Sequence, residues 1–240
     1  MTEVRINKYL ASVGIAARRK VDEMIEQGKV SVNGKRAVLG LKVDPEKDKI
    51  TINGRAVSAE KEELEYIAIY KPRGVVSTVI DTHAREKVVD LVDSDKRLYP
   101  VGRLDFESEG LMFLTNDGEF ANMLMHPRYH VPKTYEVKFL GGVSPTKILA
   151  MRRGVRLTDG ITAPAEVTIM DAQGRGSVLK ITLFEGRNRQ IRRMAETLRL
   201  HVIKLKRVEI GPIKLDTLKP GKWRKLTTTE VLSLKSAATA

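Results

Sequence analysis

The chain is 240 residues long, enough for one sizeable core plus a small module, and carries 43 Lys and Arg against 30 Asp and Glu for a net charge of +13. It contains no cysteine, which excludes disulfides, thiolate nucleophiles and cysteine-ligated zinc. That argues for a protein without a cofactor; no apolar run of ~20 residues and no apolar leader is found, so the chain reads as a cytoplasmic protein with no membrane partner.

The charge is unevenly spread. Residues 184–225 hold 13 basic and 4 acidic side chains, and residues 1–60 hold 12 and 8. Two separate basic regions point to a polyanion, nucleic acid first, over the alternative of merely solvated lysines.

In chain order, Ile6, Tyr9, Leu10 and Val13 recur at helical spacing, and Val21, Met24 and Ile25 continue it after Gly14, predicting two short helices. Lys29 to Val32 and Lys49 to Ile52 read as strands. Each is followed by Asn-Gly (Asn33-Gly34, Asn53-Gly54), the pair that favours a two-residue hairpin turn. Arg18, Arg19 and Lys20 open the second helix as a basic group. Residues 60–65 are charged and without apolar period, which predicts a linker. Beyond it Tyr66 to Tyr70 is a strand that Lys71-Pro72 ends, and Tyr135 to Phe139 and Val178 to Leu183 alternate as half-buried antiparallel strands do. Asn116-Asp117-Gly118 precedes a capped helix over Glu119 to Met125. Ile191, Met194, Ala195 and Leu198 mark another, and residues 233–240 read as a flexible tail.

Four segments carry the chemistry: KPRGVVST from Lys71, GRLDFESEGLMFLTNDG from Gly102, MHPRYHVPKTYEV from Met125 and EGRNRQIRRM from Glu185. In their order and spacing they resemble the RsuA/RluB group of ribosomal RNA pseudouridine synthases, and the resemblance covers most of the chain from about Tyr66 to Thr229. Residues 1–59 similarly resemble the RNA-binding module first described in ribosomal small-subunit protein S-four. The resemblance implies an α+β fold: a small helix-helix-sheet RNA-binding module (1–59), then a synthase domain (66–232) on a mixed, mainly antiparallel sheet.

It also implies roles. Asp105 matches the family's catalytic carboxylate, which engages the nucleotide. Arg192 matches the cation that keeps it ionised in a closed pocket. Tyr135 matches the residue that stacks on the target uracil and takes the proton from carbon 5, and Arg103 the arginine that enters the space left by the flipped base. Arg187, Arg189 and Arg193 are expected to contact RNA, as are Arg18, Arg19 and Lys20. The implied activity is uridine isomerisation in ribosomal RNA, of the large subunit by overall similarity, by a monomer. Three modes of action for Asp105 fit the residues equally: attack at uracil carbon 6, attack at the anomeric carbon, or removal of the sugar 2′ proton. Two other classes compete. A non-catalytic RNA-binding or ribosome-assembly factor would not need Asp105, and a sugar-cleaving hydrolase would pair Asp105 with Glu107 or Glu109. His83, His126, His130 and His201 show no metal-ligand spacing.

Overall fold

A computed structural model describes residues 3–57, 62–171 and 176–239. The chain divides into two compact units, Met1–Leu64 and Glu65–Ala240. Residues 58–61, and with them part of the expected linker, lie outside the described residues, as does Ala240. Glu65, placed in that linker by its sequence, belongs to the second unit: it is buried, accepts a hydrogen bond from Ser94 Oγ (2.6 Å) and pairs with Lys225 (2.9 Å).

The first unit comprises β1 (Val4–Arg5), α1 (Ile6–Ser12), α2 (Arg18–Glu26), β2 (Val30–Val32), β3 (Lys35–Arg36), β4 (Lys42–Val43), β5 (Ile50–Ile52) and β6 (Arg55–Ala56). The helical spacing of Ile6, Leu10, Val21 and Ile25 is used as expected, since all four are buried against Val30 and Ile50 of the sheet. Asn33 and Asn53 take φ of 51° and 49°, and their glycines 78° and 80°, the left-handed pair a tight hairpin turn needs.

The second unit comprises β7 (Tyr66–Lys71), β8 (Tyr99–Val101), β9 (Glu109–Thr115), α3 (Gly118–Met125), β10 (Lys133–Leu140), α4 (Pro145–Arg153), β11 (Arg156–Leu157), β12 (Gly160–Ile161), β13 (Glu166–Asp171), β14 (Gly176–Leu183), α5 (Gln190–Thr197), β15 (Val202–Ile210), β16 (Ile213–Lys214), β17 (Trp223–Lys225) and α6 (Thr228–Ala237). Its main sheet runs β13-β14-β10-β15-β9-β7-β17, with β8 added on β9 and β16 on β15. The β9–β15 pair is parallel and the other pairs antiparallel, so the sheet is mixed and mainly antiparallel, as the resemblance implied.

Both faces are covered. Tyr70, Leu111 and Phe113 pack with Phe120 and Leu124 of α3 and Val231 and Leu234 of α6. On the other face Ile69 and Met112 meet Val75 and Val88, and Val137 and Ile181 meet Ile191 and Met194 of α5. The expected tail is therefore corrected: its residues up to Ala237 finish α6, whose Thr227 and Glu230 form a capping box and whose Leu234 is fully buried. Leu234→Ala is expected to cost ~2–5 kcal/mol of unfolding free energy in a denaturant titration; a frayed residue would lose less than about 0.5 kcal/mol.

Candidate active site

One row of residues crosses four strands of the sheet. Lys71 of β7 lies opposite Gly110 of β9, Gly110 opposite Arg207 of β15, and Arg207 opposite Tyr135 of β10. Because side chains alternate across a strand, Lys71, Arg207 and Tyr135 share one face of the sheet. Gly110 is required by the close approach of two backbones. Its φ is +115°, and a Cβ there would run into the Arg207 carbonyl oxygen.

The segment Leu104 to Ser108 is tied down beside this row by main-chain groups. Ser77 Oγ donates to the Leu104 carbonyl (2.8 Å) and accepts from the Leu104 N–H (3.1 Å). Lys71, 0% exposed, donates through Nζ to the carbonyls of Pro72 (2.9 Å), Asp105 (3.2 Å) and Ser108 (2.8 Å). The Ser108 N–H closes the turn on the Asp105 carbonyl (3.0 Å). Burial lowers Lys71 from the ordinary lysine value to about 8, although the Asp105 charge works the other way. Lys133, on the same face as Tyr135, is lowered by burial to about 8 as well, and the Arg207 guanidinium adds to both shifts. The row is thus a cationic bed under the loop.

The Asp105 carboxylate faces two arginines. Its Oδ2 lies 3.5 Å from Arg189 Nη1 and 3.7 Å from Arg192 Nε, while Arg192 Nη2 donates to Ser108 Oγ (3.3 Å). Residues three apart at a helix start lie on one side, which lets Arg189, the N-cap of α5, and Arg192 converge on one oxygen. Arg193 takes the other side and grips Asp159 with two nitrogens (2.5 and 3.0 Å). Arg187 pairs with Glu185 (3.0 Å) and donates to the Ile161 carbonyl (2.6 Å). Of the three arginines of this segment expected at RNA, Arg187 and Arg193 are therefore committed to protein partners, whereas Arg189 joins Arg192, the expected cation, on the carboxylate. Buried Gln190 completes the clasp: it donates to Glu185 Oε1 (2.7 Å) and accepts the Arg187 N–H (3.1 Å), fixing the first turn of α5.

A cleft lies along this arrangement, with Arg103, Asp105 and Arg189 among its polar lining residues and Tyr135, Leu183 and Leu205 among its apolar ones. Arg103 is exposed and Tyr135 half-buried. A carboxylate and cations beside an aromatic ring and aliphatic side chains suit a flat, polar-edged base better than a charged small molecule. Arg18, Arg19 and Lys20 are exposed on α2 of the first unit, where Arg18 donates to Asn7 Oδ1 (3.5 Å) and Lys20 pairs with Glu23 (2.8 Å). Another cleft of that unit, with Ile15, Ile52 and Arg55 in its lining, has no carboxylate among its lining residues.

The hydrolase pairing does not form. Glu109 points to the opposite face of the sheet from Lys71, where Tyr70 donates to it and Lys204 pairs with it (both 2.8 Å), and Glu107 stands out in solvent near Arg192 (3.9 Å). Sequence reasoning missed Lys71 and Arg207. Arg207, 4% exposed, donates to the Leu111 carbonyl (2.7 Å). The signal for Lys71 was present, as the end of an apolar strand and the start of a matched motif. Among the described residues no group of three or more His, Cys, Asp or Glu is placed to hold a metal, and no helix is long and apolar enough to cross a membrane.

Comparison with known proteins bears on this site. The family model described as RNA pseudouridylate synthase matches residues 65–197, and the S4 domain model matches residues 4–50. The chain is 46% identical to the ribosomal large subunit pseudouridine synthase B of Bacillus subtilis, over 98% of this chain and 96% of that one. It is 40% identical to the dual-specificity RNA pseudouridine synthase RluF of Escherichia coli, over 97% of this chain and 79% of that one. A crystal structure of a pseudouridylate synthase superposes with a TM-score of 0.70 at 29% identity, over 96% of this chain and 99% of the other.

Proposed function

The chain belongs to the RNA pseudouridylate synthase family, and from that premise we propose that it isomerises uridine to pseudouridine in ribosomal RNA, at a site in the large subunit. The observation that carries the reading is the Asp105 carboxylate, held beside Tyr135 in one cleft with Arg189 and Arg192 on it. The large-subunit assignment is supported by the Bacillus relative, which aligns along nearly its whole length.

Isomerisation breaks the bond from ribose to uracil nitrogen 1, turns the base, and joins it again through carbon 5. No atom is gained or lost. In the proposed sequence Arg103 fills the stack behind the everted uridine, Asp105 engages the nucleotide, and Arg189 and Arg192 orient its carboxylate from 3.5 and 3.7 Å. Tyr135 holds the detached ring by stacking, worth ~1–3 kcal/mol, and its hydroxyl takes up the carbon 5 proton as it gives up its own, so that one proton leaves carbon 5 and one is gained at nitrogen 1. Residues 1–59 anchor the RNA through their separate positive charge. The test is incubation of large-subunit rRNA transcript with the protein, read as carbodiimide-dependent reverse-transcriptase stops. One new stop without change of RNA mass is expected; free uracil or an abasic product would mean a hydrolase, and no stop a non-catalytic protein. In the same assay a chain starting at residue 65 should need more RNA for half-maximal rate, with a shallower dependence of log affinity on log salt.

Tyr135→Phe keeps the ring and removes only the hydroxyl. The expected outcome is unchanged RNA affinity with turnover slowed at least ~100-fold, in the range that general acid–base groups contribute. Equal single-turnover rates for Tyr135→Phe and wild type would remove the hydroxyl from the chemistry.

A further inference from the structure

We propose that the exposed turn from Met125 to His130 is a ledge that grips the RNA strand next to the everted uridine, with Arg128 on a phosphate and the Tyr129 and His126 rings against the adjoining nucleotide. The proposal rests on the RNA reading above and adds to it where the substrate strand runs.

The turn is fixed at the edge of the cleft. Met125 Sδ accepts the Gly102 N–H (2.8 Å), one residue from Arg103. Its shape is set before any ligand arrives: Pro127–Tyr129 is a single 3-10 turn, His126 Nδ1 accepts the Arg128 N–H (3.3 Å), and His130 closes it in the left-handed region at φ 46°. A preorganised surface does not spend binding energy on ordering itself.

Its chemistry suits a polyanion with flat bases. From Ala121 to Tyr135 the sequence has no Asp or Glu, while it carries Arg128, Lys133 and two histidines. Met125, His126, Pro127, Arg128 and His130 are exposed. The Arg128 guanidinium lies over the Tyr129 ring, 4.4 Å from its centre, and donates to the Tyr129 hydroxyl. The His126 and Tyr129 rings meet edge to face at 6.1 Å. Arg85, Arg193 and Arg224 each grip a carboxylate with two nitrogens. Among the described residues no carboxylate pairs with Arg128, so a stacked, planar donor set is left for an anion. A charged fork beside aromatic edges is what a nucleotide offers partners for, through its phosphate and its base.

The experiment compares wild type, Arg128→Glu, Arg128→Lys and a control, Arg153→Glu, all as full chains, on one large-subunit rRNA fragment that wild type modifies. Arg153 is an exposed arginine at the end of α4, so it carries the same change of charge to another place. Arg128→Glu is expected to weaken binding about 10-fold and to lower the slope of log affinity against log salt by about one. It should also lose hydroxyl-radical protection of the nucleotides next to the modified uridine. Arg128→Lys should keep most of the affinity, and Arg153→Glu should stay within about 2-fold of wild type. Equal binding by Arg128→Glu and wild type, or equal losses at both arginines, would overturn the ledge and leave the isomerase reading standing. Failure of wild type to modify any rRNA would overturn the reading and the ledge together.

Discussion

Asp105→Asn is expected to abolish isomerisation, a loss of at least ~10⁴-fold as for removal of an essential nucleophile, while RNA affinity stays within a few-fold of wild type. The two effects separate because the loop does not depend on this side chain. Lys71, Ser77 and Ser108 hold it entirely through main-chain atoms of Leu104, Asp105 and Ser108. Asparagine keeps the shape of aspartate and changes only its charge and basicity. What is lost structurally is a pair of contacts at 3.5 and 3.7 Å to arginines whose side chains are 49% and 16% exposed, a stabilisation of about 1 kcal/mol or less. Single-turnover assays at saturating RNA and a melting curve check both halves. Measurable turnover by the Asp105→Asn variant would remove Asp105 from the chemistry.

Lys71→Met is expected to slow turnover about 100-fold or more with only a moderate loss of stability. Three carbonyls would lose their donor, at ~1–3 kcal/mol each if they stay buried and unpaired. Against that stands relief from burying a charge, since the fall from the ordinary lysine value to about 8 marks a cost of a few kcal/mol for keeping Lys71 protonated. The terms largely offset in the stability. They do not offset in the rate, because the Asp105 and Ser108 carbonyls lose the point that sets them against the row, and displacement of a reacting group by ~1 Å costs ~10²-fold. The pH dependence has a definite sign. The folded-state value lies below the unfolded one, so the folded chain sheds this proton first and Lys71 contributes rising stability between about pH 8 and 10.5. Over that range the clamp loses one of its three donors. Rate at saturating RNA should therefore fall above about pH 8 while the stability cost of burying the Lys71 charge is relieved; a rate flat to about pH 10 would show that the third donor is dispensable.

The first unit was readable because its signals are local. The helical spacing of Ile6 to Val13 and the two Asn-Gly pairs each act within a few residues, and both appear where expected. In the second unit the alternating strands β10 and β14 were readable for the same reason. β9 was less so, because a central strand buried on both faces reads as one apolar run, Leu111 to Leu114, with no period to mark it. Residues 233–237 of α6 read as part of a tail in the sequence although Thr227 and Glu230 spell a capping box at the start of the helix. Its apolar positions are sparse, and only packing against α3 and β9 shows that Leu234 is interior. At the site, Asp105 and Tyr135 were legible from their motifs. The sorting of the four arginines was not, because it depends on Asp159, which arrives from a hairpin 34 residues earlier in the chain. Lys71 is hidden for a similar reason. A lysine ending a strand ordinarily reaches water, and here the loop that covers it begins 34 residues later.

The place of β15 in the sheet has a consequence for the order of assembly. It lies between β10, which carries Tyr135, and β9, at whose entry Asp105 sits, yet it is made after both, and among the described residues no other strand joins those two parts of the sheet. On a ribosome still synthesising this chain, the N-terminal unit and the pairings of β9 with β7 and β8 can form from residues already made. Asp105 and Tyr135 cannot be brought together until residues 202–210 have emerged and the parallel seam at Gly110 and Arg207 has closed over a separation of almost a hundred residues. Closing so long a loop is slow relative to local pairing. On the reading proposed above, the first domain can thus hold RNA before Asp105 and Tyr135 face one another, and the site is completed in one late step, when β15 slots into the gap.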